Sequence, residues 1–296
     1  MTEKFRGDAA LIMKKYLGIS TLVFIGVAVF LHQVFSGHII LPQLFHLGPL
    51  TIHYYGLIMA LAAAVGFWLA MKRAPQFGVS EKQAEDIFFW VIVGGFIGAR
   101  LYHVLSSALF YWQNPFDIFK VWNGGLSIYG AVLGGITTLI ILHKGVSRAT
   151  LDTLDWLAPS VVLGQIIGRF GNLFNYEAFG YPTNLPWKMF VGKNFRPAMF
   201  QNENFFHPWF LYESLGNLII LFVLLKIVEP RCKKSPPGFI VFFYLLLYNS
   251  LRFGLEFLRI DSTFIGPVRL NAAVSLLLVF VSLAGLYYVG KHPKVS

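Results

Sequence analysis

The sequence predicts an all-α fold, a polytopic bundle of membrane-spanning helices. Three observations predict it. Of the 296 residues, 56% are hydrophobic and only 13% are charged, about half the roughly 25% of an ordinary soluble domain. Mean hydropathy is +0.63. Eight stretches also approach the roughly 20 apolar residues that cross a hydrocarbon core. A disordered chain needs low hydrophobicity, and so few charges cannot cover a soluble globule. The net charge of +10 is not a nucleic-acid signature, because no basic stripe interleaved with polar residues exists.

The first stretch, 16–35, follows a basic start and has the look of a signal segment or an uncleaved anchor. Only Phe35-Ser36-Gly37 offers a weak cleavage pattern, so a retained anchor within residues 1–38 is expected. The second, 53–71, opens on His53-Tyr54-Tyr55-Gly56, and the third, 87–109, carries Arg100 at its middle. The fourth, 124–143, is entered through Trp122-Asn123-Gly124-Gly125-Leu126-Ser127-Ile128-Tyr129-Gly130, and the fifth is 153–175. The sixth, 209–228, begins after His207-Pro208, where proline suits a first helical turn. The seventh is 239–257, and the eighth, 270–290, precedes a tail over 291–296. Residues 39–290 thus form one transmembrane domain. None of the stretches alternates in polarity as a barrel strand does.

Basic residues at the joints orient the bundle. Lys4, Arg6, Lys14, Lys15, Lys72, Arg73, Lys82, Lys144, Arg148, Arg231, Lys233, Lys234, Lys291 and Lys294 occupy one set of joints. The alternate set holds Lys120, Lys188, Lys193, Arg196, Arg259 and Arg269. The positive-inside rule places the first set in the cytoplasm. Both termini are then cytoplasmic, which needs an even number of spans. The longest outer joint, 176–208, is rich in Asn, Pro and aromatics, and ordered joints of that length are often functional.

Ionisable groups inside spans cost several kcal/mol each, roughly 3 at the bilayer centre, and need a reason. Arg100, Arg169 and Arg252 are such groups. In a helix, Arg169, Asn172 and Tyr176 share a face with Asn175 nearby, and the stripe ends in Glu177. It reads as a cup for a polar head group or as amide glue between helices. Tyr248, Arg252, Glu256 and Arg259 form a second stripe, in which Glu256 can pair with Arg252 and Arg259. Two arginines for one glutamate leave a positive surplus suited to a phosphodiester. Glu213, a turn inside the sixth span, needs a partner. The single cysteine, Cys232, lies among basic residues and reads as an incidental cytoplasmic thiol. No histidine pair has metal-ligand spacing, no nucleotide-binding glycine loop stands in context, and no cofactor is expected.

Gly168-Arg169-Phe170-Gly171-Asn172-Leu173-Phe174-Asn175-Tyr176-Glu177 closely resembles the signature of bacterial prolipoprotein diacylglyceryl transferases. Supporting matches follow in the family's order: His53-Tyr54-Tyr55-Gly56, Gly98-Ala99-Arg100-Leu101-Tyr102, Trp122 to Ser127, His207-Pro208 with Leu211-Tyr212-Glu213, and Arg252 with Glu256-Phe257 and Arg259. The resemblance implies seven family spans plus an additional leading one. It implies a bacterial inner-membrane enzyme with its site toward the outer leaflet, among membrane lipids. The expected partners are phosphatidylglycerol and prolipoprotein lipobox peptides, joined through a thioether as glycerol phosphate leaves. By motif, Arg169, Arg252 and Tyr129 are candidate catalytic residues. Tyr55, Arg100, Asn172, Asn175, Glu177, Gly180, Glu213, Tyr248, Glu256 and Arg259 are candidate substrate-binding residues. One departure stands out: Tyr129 occupies the place of a histidine that is a candidate general base, and tyrosine is a poor base at neutral pH. His103, a turn from Arg100, is an alternative base. A non-enzymatic binder or transporter of anionic lipids would use the same arginines.

Overall fold

The computed structural model describes residues 18, 20–23, 25–231 and 236–291. The expectations for residues 1–17, for Cys232 and for the tail beyond Lys291 lie outside the described residues. The chain is mostly helical. Helix α1 (Ser20–Phe35) leads to an antiparallel hairpin, β1 (Leu44–Leu47) and β2 (Leu50–His53), paired Leu44 to His53. Then come α2 (Tyr54–Arg73), α3 (Glu81–Ser106), the short α4 (Ala108–Gln113), α5 (Ile128–Leu142) and α6 (Arg148–Asn175). Strands β3 (Met189–Phe190) and β4 (Phe205–Phe206) pair within the long joint. Helix α7 (Trp209–Phe222) continues through a π-helical turn, Val223–Val228, into α8 (Glu229–Arg231). Helix α9 (Phe239–Glu256), the hairpin β5 (Phe264–Ile265) and β6 (Val268–Arg269), and α10 (Leu270–Lys291) complete the chain.

Among the described residues, five helical segments are long and apolar enough to cross a membrane: Tyr54–Phe77, Glu81–Ser106, Trp209–Val228, Phe239–Glu256 and Leu270–Lys291. Their outward faces expose large side chains such as Phe89, Phe96, Ile219, Leu277 and Phe280, as lipid-facing helices require. The protein is a multi-pass membrane helix bundle. The eight expected spans differ from this set for local reasons. Helix α5 has 15 residues, because Gly124 and Gly125 turn the chain with φ of 87° and 77° before it starts. Lys144 and Gly145, with φ of 55° and 134°, end it. Helix α6 has 28 residues but carries Asp152, Asp155 and Arg169 along its length.

Antiparallel packing of α2 on α6, α3 on α5, α6 on α7 and α9 on α10 gives the bundle two polar ends. At one end, Asp155 accepts the backbone N–H groups of Gly238 (2.8 Å) and Val241 (2.7 Å). It thereby caps α9 from another helix. Arg73, counted among the joint cations that orient the bundle, is buried there. It pairs with Glu229 at 3.1 Å and donates to the carbonyl of Trp156. The other end gathers the C-termini of α3, α6 and α9 and the N-termini of α2, α5, α7 and α10. The long joint folds over it as a cap, in which Met189, Val191 and Phe206 are buried with Val34, Phe35, Leu41, Trp209 and Phe210.

Close helix contact sets the α3–α5 pair. A Cβ on Gly98 would lie 2.8 Å from the Cα of Gly134, and one on Gly130 would lie 2.5 Å from the Cβ of Tyr102. Small residues at four-residue spacing allow such backbone approach in membranes. Gly130→Ala is therefore expected to cost about 1–3 kcal/mol by overpacking, read as a lowered thermal midpoint of the detergent-solubilised protein. Gly290→Ala, where nothing lies within 4 Å, should leave the midpoint unchanged.

Candidate active site

Glu213 is the centre of the site. It sits one turn into α7, where Pro208 ends the cap and Trp209 begins the helix, and it has no exposed surface. Its Oε1 pairs with Arg169 Nη2 at 2.6 Å and its Oε2 with Arg252 Nη1 at 3.2 Å. The Tyr248 hydroxyl donates to Oε1 at 3.0 Å. Arg169 comes from α6, Glu213 from α7, and Tyr248 and Arg252 from α9. Arg252 also gives Nη2 to Glu256 Oε2 at 3.4 Å. The Arg169 side chain remains 27% exposed while the carboxylate behind it is buried. A guanidinium has five N–H donors, so these pairs orient the two cations and leave donors for an incoming anion.

Trp209 is wholly buried and donates Nε1–H to the carbonyl of Leu255 at 2.7 Å. Three guanidinium carbons surround its ring: Arg252 at 4.7 Å, Arg259 at 5.1 Å and Arg169 at 5.9 Å. Arg259 does not pair with Glu256 as the helical spacing predicts. Helix α9 stops at Glu256, so the i+3 register is lost. Arg259 instead grips Asp261 at 2.5 and 2.9 Å. Burial pushes the Asp261 carboxyl up, but the hydrogen bonds and charge of Arg259 override it and hold the group below the usual aspartate range. The expected surplus of charge at Glu256 is therefore absent. Among Arg169, Arg252, Arg259, Arg269, Glu213, Glu256 and Asp261, the extra cation is Arg269, which caps the end of α9. Its Nη1 donates to the carbonyls of Glu256 (3.0 Å) and Arg259 (3.2 Å).

The signature stripe closes the other side. Asn172 Nδ2 donates to Glu177 Oε1 at 2.9 Å, and Asn175 Nδ2 to the same oxygen at 3.3 Å. Tyr176 leaves the stripe: it takes a left-handed conformation with φ 53°, donates to the carbonyl of Leu41 at 2.8 Å and stacks on Phe195. The Tyr55 ring lies over Gly171, where a Cβ would come within 2.9 Å of it. Gly180 passes between two strands of backbone. It donates to the His207 carbonyl at 2.9 Å, and a Cβ there would meet the Leu258 carbonyl oxygen at 2.5 Å. A cleft of about 280 Å³ lies alongside, lined by Tyr176, Glu177, Phe195, Arg196 and Asp261 among others.

Arg100 is not among this group. Its Nε donates to the Ile118 carbonyl (2.8 Å), Nη1 to those of Gly124 (2.8 Å) and Gly125 (3.0 Å), and Nη2 to that of Asp117 (2.5 Å). It holds the α3–α5 connection together. His103 shares with it a separate pocket of about 220 Å³, also lined by Tyr111, Asp117 and Lys120. Tyr129 reaches the site indirectly, donating its hydroxyl to Asn271 Oδ1 at 3.0 Å. Asn271 in turn donates Nδ2 to Glu256 Oε1 at 3.1 Å. Sequence reasoning missed Asn271 and the ring of Trp209. The only signal for Asn271 was a polar residue one position inside the last apolar helix.

A family profile described as prolipoprotein diacylglyceryl transferase matches residues 42–288. A Thermotoga maritima protein named phosphatidylglycerol–prolipoprotein diacylglyceryl transferase is 38% identical over 280 residues, covering 93% of this chain and 94% of that protein. Proteins of the same name from Thermosynechococcus vestitus and Fervidobacterium nodosum are 40% and 38% identical. They cover 83% and 91% of this chain, and 92% and 93% of their own lengths. The chain belongs to the prolipoprotein diacylglyceryl transferase family.

Removing one partner of a buried ion pair typically costs about 3–5 kcal/mol. Glu213→Gln is expected to lower the thermal midpoint accordingly, because it leaves Arg169 and Arg252 facing an uncharged amide. Asp261→Asn should move the midpoint far less, since that carboxylate is half exposed and solvent-screened pairs contribute roughly 1 kcal/mol or less. The Arg259–Asp261 pair contributes fully above the ordinary aspartate pKa and loses its contribution as pH falls through the lowered native value.

Proposed function

We propose that this family member transfers the diacylglyceryl group of phosphatidylglycerol to the cysteine thiol of a prolipoprotein lipobox, the first step of lipoprotein maturation. The observation that carries the reading is the buried Glu213 carboxylate holding Arg169 and Arg252 side by side. The names borne by the relatives supply both substrates.

The reaction needs what this site offers. The thiol sulfur attacks the glyceryl carbon and forms the thioether. The bond from that carbon to the phosphate oxygen breaks, and its electron pair leaves with glycerol phosphate. Negative charge therefore concentrates on the departing phosphate. Guanidinium groups already oriented in a water-poor site stabilise it without reorganisation. The thiol proton is passed to the departing glycerol phosphate, which gains the charge of the broken bond, and nearby positive charge eases its loss by lowering a thiol's pKa. Arg169 and Arg252 hold the phosphate. Asn172, Asn175, Glu177 and Tyr55 surround the polar head group. Tyr248 and Glu256 orient the cations, Arg259 stands beside them against Trp209 and adds its charge to the site, Gly180 keeps the cap close to Arg259, and Arg100 supports the connection that carries Tyr129.

The chain resides in the bacterial inner membrane with this site toward the outer leaflet. Lys72, Lys82, Lys144 and Arg148 lie at the opposite end of the bundle, which the positive-inside rule makes cytoplasmic. Eight crossings consist of the five long apolar helices together with α1, α5 and α6, and both termini are cytoplasmic. Helix α1 belongs to the bundle, a reading supported by the burial of Val34 and Phe35 beneath the cap. Residues 39–290 form the transferase domain.

Membranes lacking the native activity, carrying this chain and supplied with phosphatidylglycerol and a lipobox peptide, test the reading by mass spectrometry. A peptide heavier by one thioether-linked diacylglyceryl group is expected. Lipid uptake without a covalent product would instead identify a non-enzymatic binder or transporter. Arg169→Ala and Arg252→Ala should each lose about a hundredfold or more in turnover while remaining inserted. Tyr129→Phe should lose much less, because its hydroxyl is directed at Asn271 rather than at the arginines.

A further inference from the structure

The geometry points to Asn271 as a positioning residue that transmits Tyr129 to the arginine pair. This inference rests on the function proposed above. A carboxamide has one accepting and one donating end, and both are used here. Oδ1 accepts the Tyr129 hydroxyl at 3.0 Å, and Nδ2 donates to Glu256 Oε1 at 3.1 Å. The tyrosine hydrogen fixes which end of the amide faces Glu256. The amide then fixes which carboxylate oxygen faces away from it, and that oxygen, Oε2, receives Arg252 Nη2 at 3.4 Å. Arg252 continues to Glu213, and Glu213 to Arg169. One hydrogen-bonded chain thus runs from α5 through α10, α9 and α7 to α6.

Glu256 is gripped twice by the junction of β6 and α10. Arg269 holds its backbone carbonyl at 3.0 Å, and Asn271, two residues on, holds its side chain. Glu256 has no exposed surface, so a carboxylate oxygen left without the amide has no water to replace it, and buried acceptors left unpaired are costly. The carboxylate would rotate toward the remaining donor, Arg252, and pull that guanidinium from its shared position with Glu213. Tyr129 in this chain therefore acts through orientation. Its proton is given to Asn271, and its hydroxyl is two side chains removed from Arg252.

The test measures kcat per folded molecule for the full chain, with phosphatidylglycerol and a lipobox peptide, after gel filtration selects monodisperse protein. Asn271→Ala should lower kcat about tenfold. Groups in one network are not additive, so combining Asn271→Ala with Glu256→Gln should give no further loss than Glu256→Gln alone. Tyr129→Phe in the Asn271→Ala background should likewise add nothing. Asn271→Asp, which keeps the shape and the acceptor for Tyr129 but loses the donor to Glu256, should fall at least as far as Asn271→Ala. It also serves where the alanine variant does not fold. Wild-type kcat in the folded variants, or losses from Asn271→Ala and Glu256→Gln that multiply, would overturn the assignment. Absence of product from the wild-type chain would instead count against the proposed function.

Discussion

A carboxylate with no exposed surface cannot remain charged inside a membrane unless cations meet it, and Glu213 is met by two. That constraint organises the rest of the molecule. Arg169 stands near the end of α6, Glu213 near the start of α7, and Arg252 near the end of α9. The three helices must therefore present these turns at one depth. The same carboxylate prevents the two guanidiniums from drifting apart by mutual repulsion. An anion that binds them meets cations whose positions are already set, so reorganisation on binding is small.

The surroundings fit that requirement. The indole of Trp209 lies against three guanidiniums and excludes water from their inner faces, which strengthens every charge interaction there. The long joint becomes a packed cap because Met189, Val191 and Phe206 share a core with Val34 and Phe35 of α1, Leu41 ahead of β1, and Trp209 and Phe210 of α7. At the far end, Asp155 and Arg73 solve a different problem. They pin the ends of helices through backbone groups and Glu229, and so fix the bundle from which the site projects.

Much of this was legible in the sequence. Arg169 and Arg252 stood out because intramembrane arginine is costly, and Glu213 because a carboxylate a turn inside an apolar helix needs partners. The helices were legible as apolar runs, although Gly124, Gly125 and Gly145 shorten α5 below a full span. Pairings were less legible. Glu256 and Arg259 share a face only if the helix continues, and it stops at Glu256. Arg100 satisfies four backbone carbonyls of a loop, a use that leaves no periodic trace. Arg73 is indistinguishable from its neighbour Lys72 in sequence, yet it is buried on Glu229. Asn271 is separated from Tyr129 by 142 positions, and no local pattern links them.

The most direct measurement is a structure of the chain with phosphatidylglycerol bound, with the position of the phosphorus as the result sought. The phosphate should lie within hydrogen-bonding distance of both Arg169 and Arg252, with Glu213 behind them still bridging the pair. A phosphate found instead in the Arg100–His103–Lys120 pocket, with the Arg169–Glu213–Arg252 cluster untouched, would contradict the account.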